Sequence, residues 1–178
     1  MALVSIRARS TLATTEVLAP ERYDPRRALD SSATKAVLLG DIVGVVRRVI
    51  QPSDALGRCL VLDTSDAREG VVISRKAPVD GSLLGSAKKE IAPRDVIISR
   101  LRPYLRQAAF VDDQIPNAEG ALLVCSTEFF VLRSRDGGPM AFLVPFLLSR
   151  PVQEVLAAAQ EGGHHPRFDD ATLLTLSL

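Results

Sequence analysis

The side chains best suited to bind a ligand lie between positions 88 and 106, where six basic residues stand against two acidic ones. An apolar run over 96–99 predicts a buried strand. The chain then continues as Arg-Leu-Arg-Pro-Tyr-Leu-Arg, so a sheet would hold three guanidinium groups and one phenol at its edge. Arginine offers paired donors that match phosphate oxygens and the edge of guanine. A run of charges is usually a solvated, salt-bridged turn, and contact with DNA is the alternative interpretation.

A second candidate site is the adjacent pair His164 and His165, which Asp169 and Asp170 follow. Imidazole and carboxylate groups could ligate a metal or exchange protons. Neighbouring side chains point in different directions, however, and no further cluster has the spacing of a zinc site. We therefore expect a polar loop that contacts DNA or a partner. A small hydrolase or metal enzyme that uses these four residues is kept as a rival hypothesis.

The two cysteines are expected to be structural. Cys59 and Cys125 are far apart, and each lies in an apolar run, which is typical of buried free thiols. The sequence Cys125-Ser126-Thr127 lacks the glycine-rich elbow of a nucleophilic serine, and no phosphate-binding or dinucleotide-binding fingerprint occurs. These segments therefore give no indication of a nucleophile or of a bound cofactor, and no metal site is expected.

The elements that would position these side chains are strands first and helices afterwards. A short strand, a turn, and a short helix or strand are expected between Val37 and Ile50, and the region from Lys76 to Lys89 is expected to be a loop. Further strands are predicted at 59–62, 70–74, 96–99, 107–111, 121–125 and 129–133. Helices are predicted at 139–149 and 151–160, followed by a short one that Asp169 or Asp170 caps and that runs to Leu174. This order predicts an α+β fold with a mixed or antiparallel sheet core and short helices toward the C-terminus.

Bulk properties agree with one globular domain. The chain has 178 residues, 47% of them hydrophobic, and a net charge of only +1, so any contact with a polyanion needs basic residues gathered on one face. We expect an approach segment over residues 1–36 and the domain itself over 37–178. No apolar stretch is long enough for a signal peptide or a transmembrane helix, which predicts a cytoplasmic protein with no membrane contact.

Several blocks of the sequence, taken in order, resemble a target-recognition domain of type I restriction–modification specificity subunits. They are Leu39-Gly40-Asp41-Ile42, the segment from Pro93 through Ser99-Arg100-Leu101-Arg102-Pro103 to Leu105, the segment Cys125–Arg133, the stretch Phe146–Arg150 with Gln153, and Gly163–Phe168 with Leu173. The resemblance covers residues 37–178. Unlike a full specificity subunit, which holds two such domains and long spacer helices, this sequence shows one domain and no long heptad helix.

The resemblance implies a non-catalytic module that reads double-stranded DNA and positions a partner methyltransferase or nuclease. The residues expected to contact DNA are Arg75, Lys76, Lys88, Lys89, Arg100, Arg102, Tyr104, Arg106, His164, His165 and Arg167. A homodimer is a further expectation. The alternative is a protein–protein adaptor in a defence or modification complex, which keeps the fold without reading DNA.

Overall fold

The computed structural model describes residues 37–54, 57–162 and 166–178. The expected approach segment 1–36 and both histidines lie outside these ranges. The helices are α1 (Leu39–Ile42), α2 (Leu143–Leu147), α3 (Arg150–Ala158) and α4 (Asp170–Leu174). The strands are β1 (Val43–Val45), β2 (Val49–Ile50), β3 (Arg58–Leu62), β4 (Ala67–Arg68), β5 (Val71–Val72), β6 (Val79–Asp80), β7 (Lys88–Glu90), β8 (Val96–Ser99), β9 (Ala108–Phe110), β10 (Leu122–Ser126) and β11 (Phe129–Ser134).

The strands form two larger sheets and one small hairpin. The first sheet has the order β1-β11-β8-β9 and is antiparallel throughout. The second has the order β2-β7-β10-β3-β6, and in it β10 and β3 run parallel while the other pairs are antiparallel. Strands β4 and β5 form the hairpin. These mixed sheets with a few short helices confirm the predicted α+β fold.

The four-stranded sheet is the central layer, and its strands bury both faces. Along β8, Val96 and Ile98 pack with the helices, whereas Ile97 packs toward the five-stranded sheet. Strand β11 divides in the same way, with Phe130 on the helix side and Phe129 on the other. Because successive side chains of a strand point to opposite faces, a strand covered on both sides is a continuous apolar run. This is why 96–99 and 129–132 carried the clearest strand signals.

The helices cover one face of the central sheet and begin at residues suited to the role. Pro151 lies in the first turn of α3, where its missing amide hydrogen leaves no bond unmade. Asp169 caps α4 by accepting a hydrogen bond from the Thr172 amide at 2.8 Å, as predicted. Strong burial of Leu147 and Leu156 fixes α2 and α3 against the sheet. No helix in the described part of the chain is long and apolar enough to cross a bilayer.

Four local predictions need correction. The expected opening strand after Val37 is instead the single helical turn α1, with β1 after it. The region 76–89, expected to be a loop, contains β6 and the first residues of β7. The strand predicted over 70–74 is reduced to the two residues of β5, and the helix predicted over 139–149 is confined to α2. Each case reflects pairing or packing with segments distant in sequence, which local patterns do not contain.

The first and last described residues lie side by side. The amide of Leu178 donates to the carbonyl of Val37 at 2.9 Å, and the amide of Leu39 donates to the carbonyl of Leu176 at 2.8 Å. Leu38 and Ser177 form an antiparallel bridge between these two bonds. Residues 37–39 and 176–178 are therefore held next to each other by backbone hydrogen bonds.

Candidate nucleic-acid interface

Strand register brings several predicted basic residues to one end of the molecule. Strand β10 finishes at Ser126, which pairs with Lys88, and β11 begins at Phe129, which pairs with Ser99 at the end of β8. The Ser99 amide donates to the carbonyl of Gln107 at 2.8 Å, which brings the start of β9 to the same place. We call this end of both sheets, marked by the turn from Ser126 to Phe129, the turn end. Lys88 and the residues that flank Ser99 and Gln107 therefore lie together.

A short loop from Arg102 to Arg106 projects from the turn end. Residues Pro103–Leu105 form one turn of 3-10 helix, closed by the Arg106 amide, which donates to the carbonyl of Pro103 at 2.8 Å. Arg102 and Arg106 flank it with φ of +44° and +53°. The left-handed conformation costs an L-residue about 1–2 kcal/mol, and such strain is concentrated at functional sites. The loop presents Tyr104 to solvent with 69% of its surface exposed.

Arg106 has a structural contact. Its Nη1 donates to the carbonyl of Leu148 at 2.9 Å, and its Nε lies 3.8 Å from the carboxylate of Glu69. The Glu69 amide in turn donates to the Arg106 carbonyl at 3.1 Å. Arg106 thus holds the loop against the end of α2 and the β4–β5 hairpin, which leaves Arg102 and Tyr104 as the members that face outward.

Arg100, Glu128 and Arg167 meet at the turn end although they come from three separate sequence blocks. Glu128 accepts hydrogen bonds from Arg167 Nε at 2.9 Å and from Nη2 at 2.6 Å, and its Oε2 lies 3.9 Å from Arg100 Nε. The hydrogen bond from Arg167 lowers the pKa of Glu128, against a smaller opposing effect of burial. Leu101 and Arg167 also form a backbone bridge. Three of the five blocks that carried the family resemblance therefore meet in space.

Beside this unit, Lys89 enters a cleft of about 250 Å³. Lys89 Nζ donates to the carbonyl of Phe129 at 2.6 Å and lies 5.5 Å from the centre of the Phe130 ring, as does Arg100 Cζ. Burial lowers the pKa of Lys89, and the positive charges of Arg100 and Arg47 lower it further. The cleft is lined by Val45, Val46, Arg47, Lys89, Arg100, Phe130, Asp169 and Asp170. The cleft therefore combines three cations with two carboxylates, and Arg47 is paired with Asp170.

The remaining predicted residues divide by position. Lys88 points away from Lys89, because neighbours on a strand face opposite sides, and its Nζ bonds Ser86. Lys76 Nζ bridges Asp63 at 2.7 Å and Asp66 at 2.5 Å, so two carboxylates already satisfy it. Arg75 is exposed in the same loop. His164 and His165 lie outside the described residues.

The opposite end of the sheets carries a groove with an acidic rim. A groove of about 470 Å³ there has an apolar floor that includes Ile115 and Leu123. Its rim carries the carboxylates of Asp112, Asp113 and Glu119. The rim of this groove is therefore acidic, unlike the turn end, where Lys88, Lys89, Arg100 and Arg102 lie.

Within the described residues, the geometry supports neither a metal site nor a reactive cysteine. In the ranges 37–54, 57–162 and 166–178, no three His, Cys, Asp or Glu side chains cluster as a metal site would require. Asp169 caps α4, and Asp170 accepts a hydrogen bond from Arg47. Cys59 and Cys125 are buried free thiols, as predicted, and burial raises the pKa of Cys125 to about 12.

Arg47 and Glu128 belong to the site but were not among the predicted contact residues. The doublet Arg47-Arg48 between two apolar segments is the sequence feature that could have identified Arg47. Glu128 gave no signal in the sequence, because its role depends on Arg167, which lies 39 positions away.

No protein-family description and no curated protein matches the sequence. The solved structures that are similar in fold include the following two. One comes from a study of complex assembly and conformational transition of the type I R-M system. The other is a crystal structure of the HsdS subunit from Thermoanaerobacter tengcongensis. Each superposes with a TM-score of 0.61 at 26% identity, and each match covers 79% of this chain and 36% of the other. The chain thus has a fold like that of a type I R-M specificity subunit and spans about a third of its length.

Proposed function

We propose that this domain is a non-catalytic module that recognises double-stranded DNA through the turn end and positions a partner methyltransferase or nuclease in the cytoplasm. The exposed Arg102 and Tyr104 on the projecting loop, with Lys89 and Arg100 beside it, carry the proposal. The likeness to structures of a type I R-M system and of an HsdS subunit supports it. Two such domains could act together, either in a homodimer or within a larger assembly.

The charges of the turn end are suited to phosphate contacts. Lys89 bonds a neutral carbonyl, and Lys88 bonds only Ser86, so neither forms an ion pair with another described residue. Arg102 has no described side-chain partner. These charges are free to replace counterions on a DNA backbone, and each phosphate contact adds about 0.9 to the slope of log affinity against log salt. Phosphate contacts would set affinity, and contacts to base edges would set sequence preference.

The test is binding to a random pool of duplex DNA, measured by fluorescence anisotropy at several salt concentrations, and followed by sequencing of the retained duplexes. We expect affinity to fall steeply as salt rises and the retained sequences to share a short motif. Arg100→Glu and Arg102→Glu should each weaken binding at least tenfold, because a favourable charge becomes a repulsive one.

Arg58→Glu is the matched control, since Arg58 is exposed at the opposite end of β3 and its reversal should change affinity little. Binding that is insensitive to salt, or equal losses for all three variants, would count against the proposal. If DNA binding is absent while a partner enzyme still binds the Arg100→Glu and Arg102→Glu variants, the domain is an adaptor instead.

A further inference from the structure

The tip of the Arg102–Arg106 loop exposes an aromatic residue. The whole sequence contains two tyrosines and no tryptophan. One of the tyrosines, Tyr104, is 69% exposed, and the adjacent Leu105 is 43% exposed. An aromatic ring and an aliphatic side chain therefore stand next to each other in solvent, with an arginine on each side. Exposed apolar groups that are grouped and ringed by polar residues mark binding surfaces more often than isolated ones do.

The backbone holds this tip in one shape. Pro103 is buried and fixes the start of the turn, and α3 packs against it. Arg106 ties the other side to the carbonyl of Leu148 at 2.9 Å. A rigid aromatic residue loses little conformational entropy on binding, so a tip held in this way is suited to insertion into a partner.

Arg102 combines a strained backbone with an exposed side chain. It adopts φ of +44°, a conformation that glycine would accept without penalty. The strain at Arg106 is matched by the clamp its side chain makes, but the Arg102 side chain is exposed and bonds no other described residue. An arginine kept in a strained position without an internal contact is consistent with a role toward a ligand.

We propose that Tyr104 and Leu105 form a wedge that enters a base step of bound DNA, while Arg102 contacts the adjacent phosphates. Proteins that insert apolar side chains between base pairs unstack the step and kink the duplex, and they read how easily a sequence deforms. The inference rests on the proposed DNA-binding function and specifies how the loop would contribute to sequence preference.

The experiment uses a duplex retained from the random pool, with 2-aminopurine placed at each adenine in turn and a fluorophore pair at the two ends. Wild-type protein should raise the 2-aminopurine fluorescence at one step and bring the two ends closer. Tyr104→Ala should abolish both signals and weaken binding by roughly fivefold to 150-fold, the range that loss of one aromatic–base stack gives.

Tyr104→Phe and Leu83→Ala are the matched comparisons. Phenylalanine keeps the ring and should keep both signals, whereas equal loss in Tyr104→Phe and Tyr104→Ala would show that the hydroxyl group is the contact and would overturn the wedge. Leu83 is 74% exposed near the opposite end of the sheet, so its replacement should leave both signals unchanged.

The two proposals fail in different ways. Salt-dependent binding by the wild type with no 2-aminopurine signal, and with unchanged affinity in Tyr104→Ala, would overturn the wedge and leave the DNA-binding function standing. Loss of partner-protein binding in Tyr104→Ala, with DNA binding intact, would assign the tip to a protein interface and also overturn the wedge. Absence of any salt-dependent DNA binding by the wild type would overturn both.

Discussion

The carboxylate of Glu128 accepts two hydrogen bonds from the guanidinium group of Arg167, from Nε at 2.9 Å and from Nη2 at 2.6 Å. Glu128 lies in the turn that joins the two sheets, and Arg167 lies in the segment that leads into α4. Two parallel bonds between charged partners fix orientation as well as distance. The pair therefore fastens the helical layer to the sheet layers at the candidate DNA-binding face.

This pair predicts a specific dependence of stability on pH. The bond from Arg167 lowers the pKa of Glu128 in the folded state, so the stabilisation is complete above the unfolded value of about 4.3 and is lost as pH falls through the lower folded value. Between about pH 5 and pH 3 the melting temperature of the wild type should fall more than that of Glu128→Gln. Circular dichroism melts across this range would measure it. Glu119→Gln, at the opposite end, should follow the wild type, and parallel curves for all three proteins would contradict the assignment.

Replacement of Arg133 by methionine should destabilise the fold without affecting DNA binding. Asp95 is almost completely buried, and its two oxygens accept bonds from Arg133 Nε and Nη2 at 2.8 Å each. The variant would leave that carboxylate with the Ala92 amide as its described partner. Because Arg133 is itself 45% exposed, we expect the free energy of unfolding to fall by about 2–4 kcal/mol. This is less than the full cost of breaking a buried ion pair. Urea denaturation would measure the loss, and Arg58→Met should cost less than about 0.5 kcal/mol.

Both cysteines should be unreactive in the folded protein. Burial raises the pKa of Cys125 to about 12, and burial followed by the charge of Asp80 raises the pKa of Cys59. Only the thiolate reacts, so Ellman's reagent at pH 8 should detect almost no thiol in the native state and two per chain in guanidinium chloride. Rapid labelling of either native thiol would show that the sheet around it opens far more often than its burial implies.

Arg102→Gly should separate stability from binding. Glycine relieves a left-handed strain of about 1–2 kcal/mol but loses more backbone entropy on folding, by about 0.5–1 kcal/mol. The melting temperature should thus stay the same or rise slightly, while DNA affinity falls and the salt slope decreases by about one. Arg106→Gly is the comparison, because it also breaks the bond to the Leu148 carbonyl and should lower the melting temperature. A fall in stability for Arg102→Gly would show that Arg102 acts within the fold.

The sequence predicted the central layer of the fold well and its margins poorly. The strands β8 and β11 were evident because they are apolar on both faces. Strand β7, with the sequence Lys-Lys-Glu, has no apolar pattern and is a strand because β2 and β10 bond it from both sides. Such pairing depends on partners about 40 residues away along the chain, which composition does not reveal.

The candidate site was predictable in part for the same reason. The Arg100–Arg106 segment stood out through its own composition, and its position at the end of β8 follows from the strand before it. Lys76 looked equivalent in the sequence, yet Asp63 and Asp66 engage it. Arg47 gained its place only through Asp170, 123 positions further on. Charge patterns identify candidate cations, but the fold decides which of them remain free.

Backbone hydrogen bonds hold residues 37–39 next to residues 176–178. New termini could therefore be opened at an exposed turn, such as the one near Gly137. If residues 37 and 178 were joined by a short linker, the circularly permuted chain from 37 to 178 should keep its fold. For the same reason the domain could be inserted into a surface loop of a host protein, because residues 37 and 178 lie next to each other.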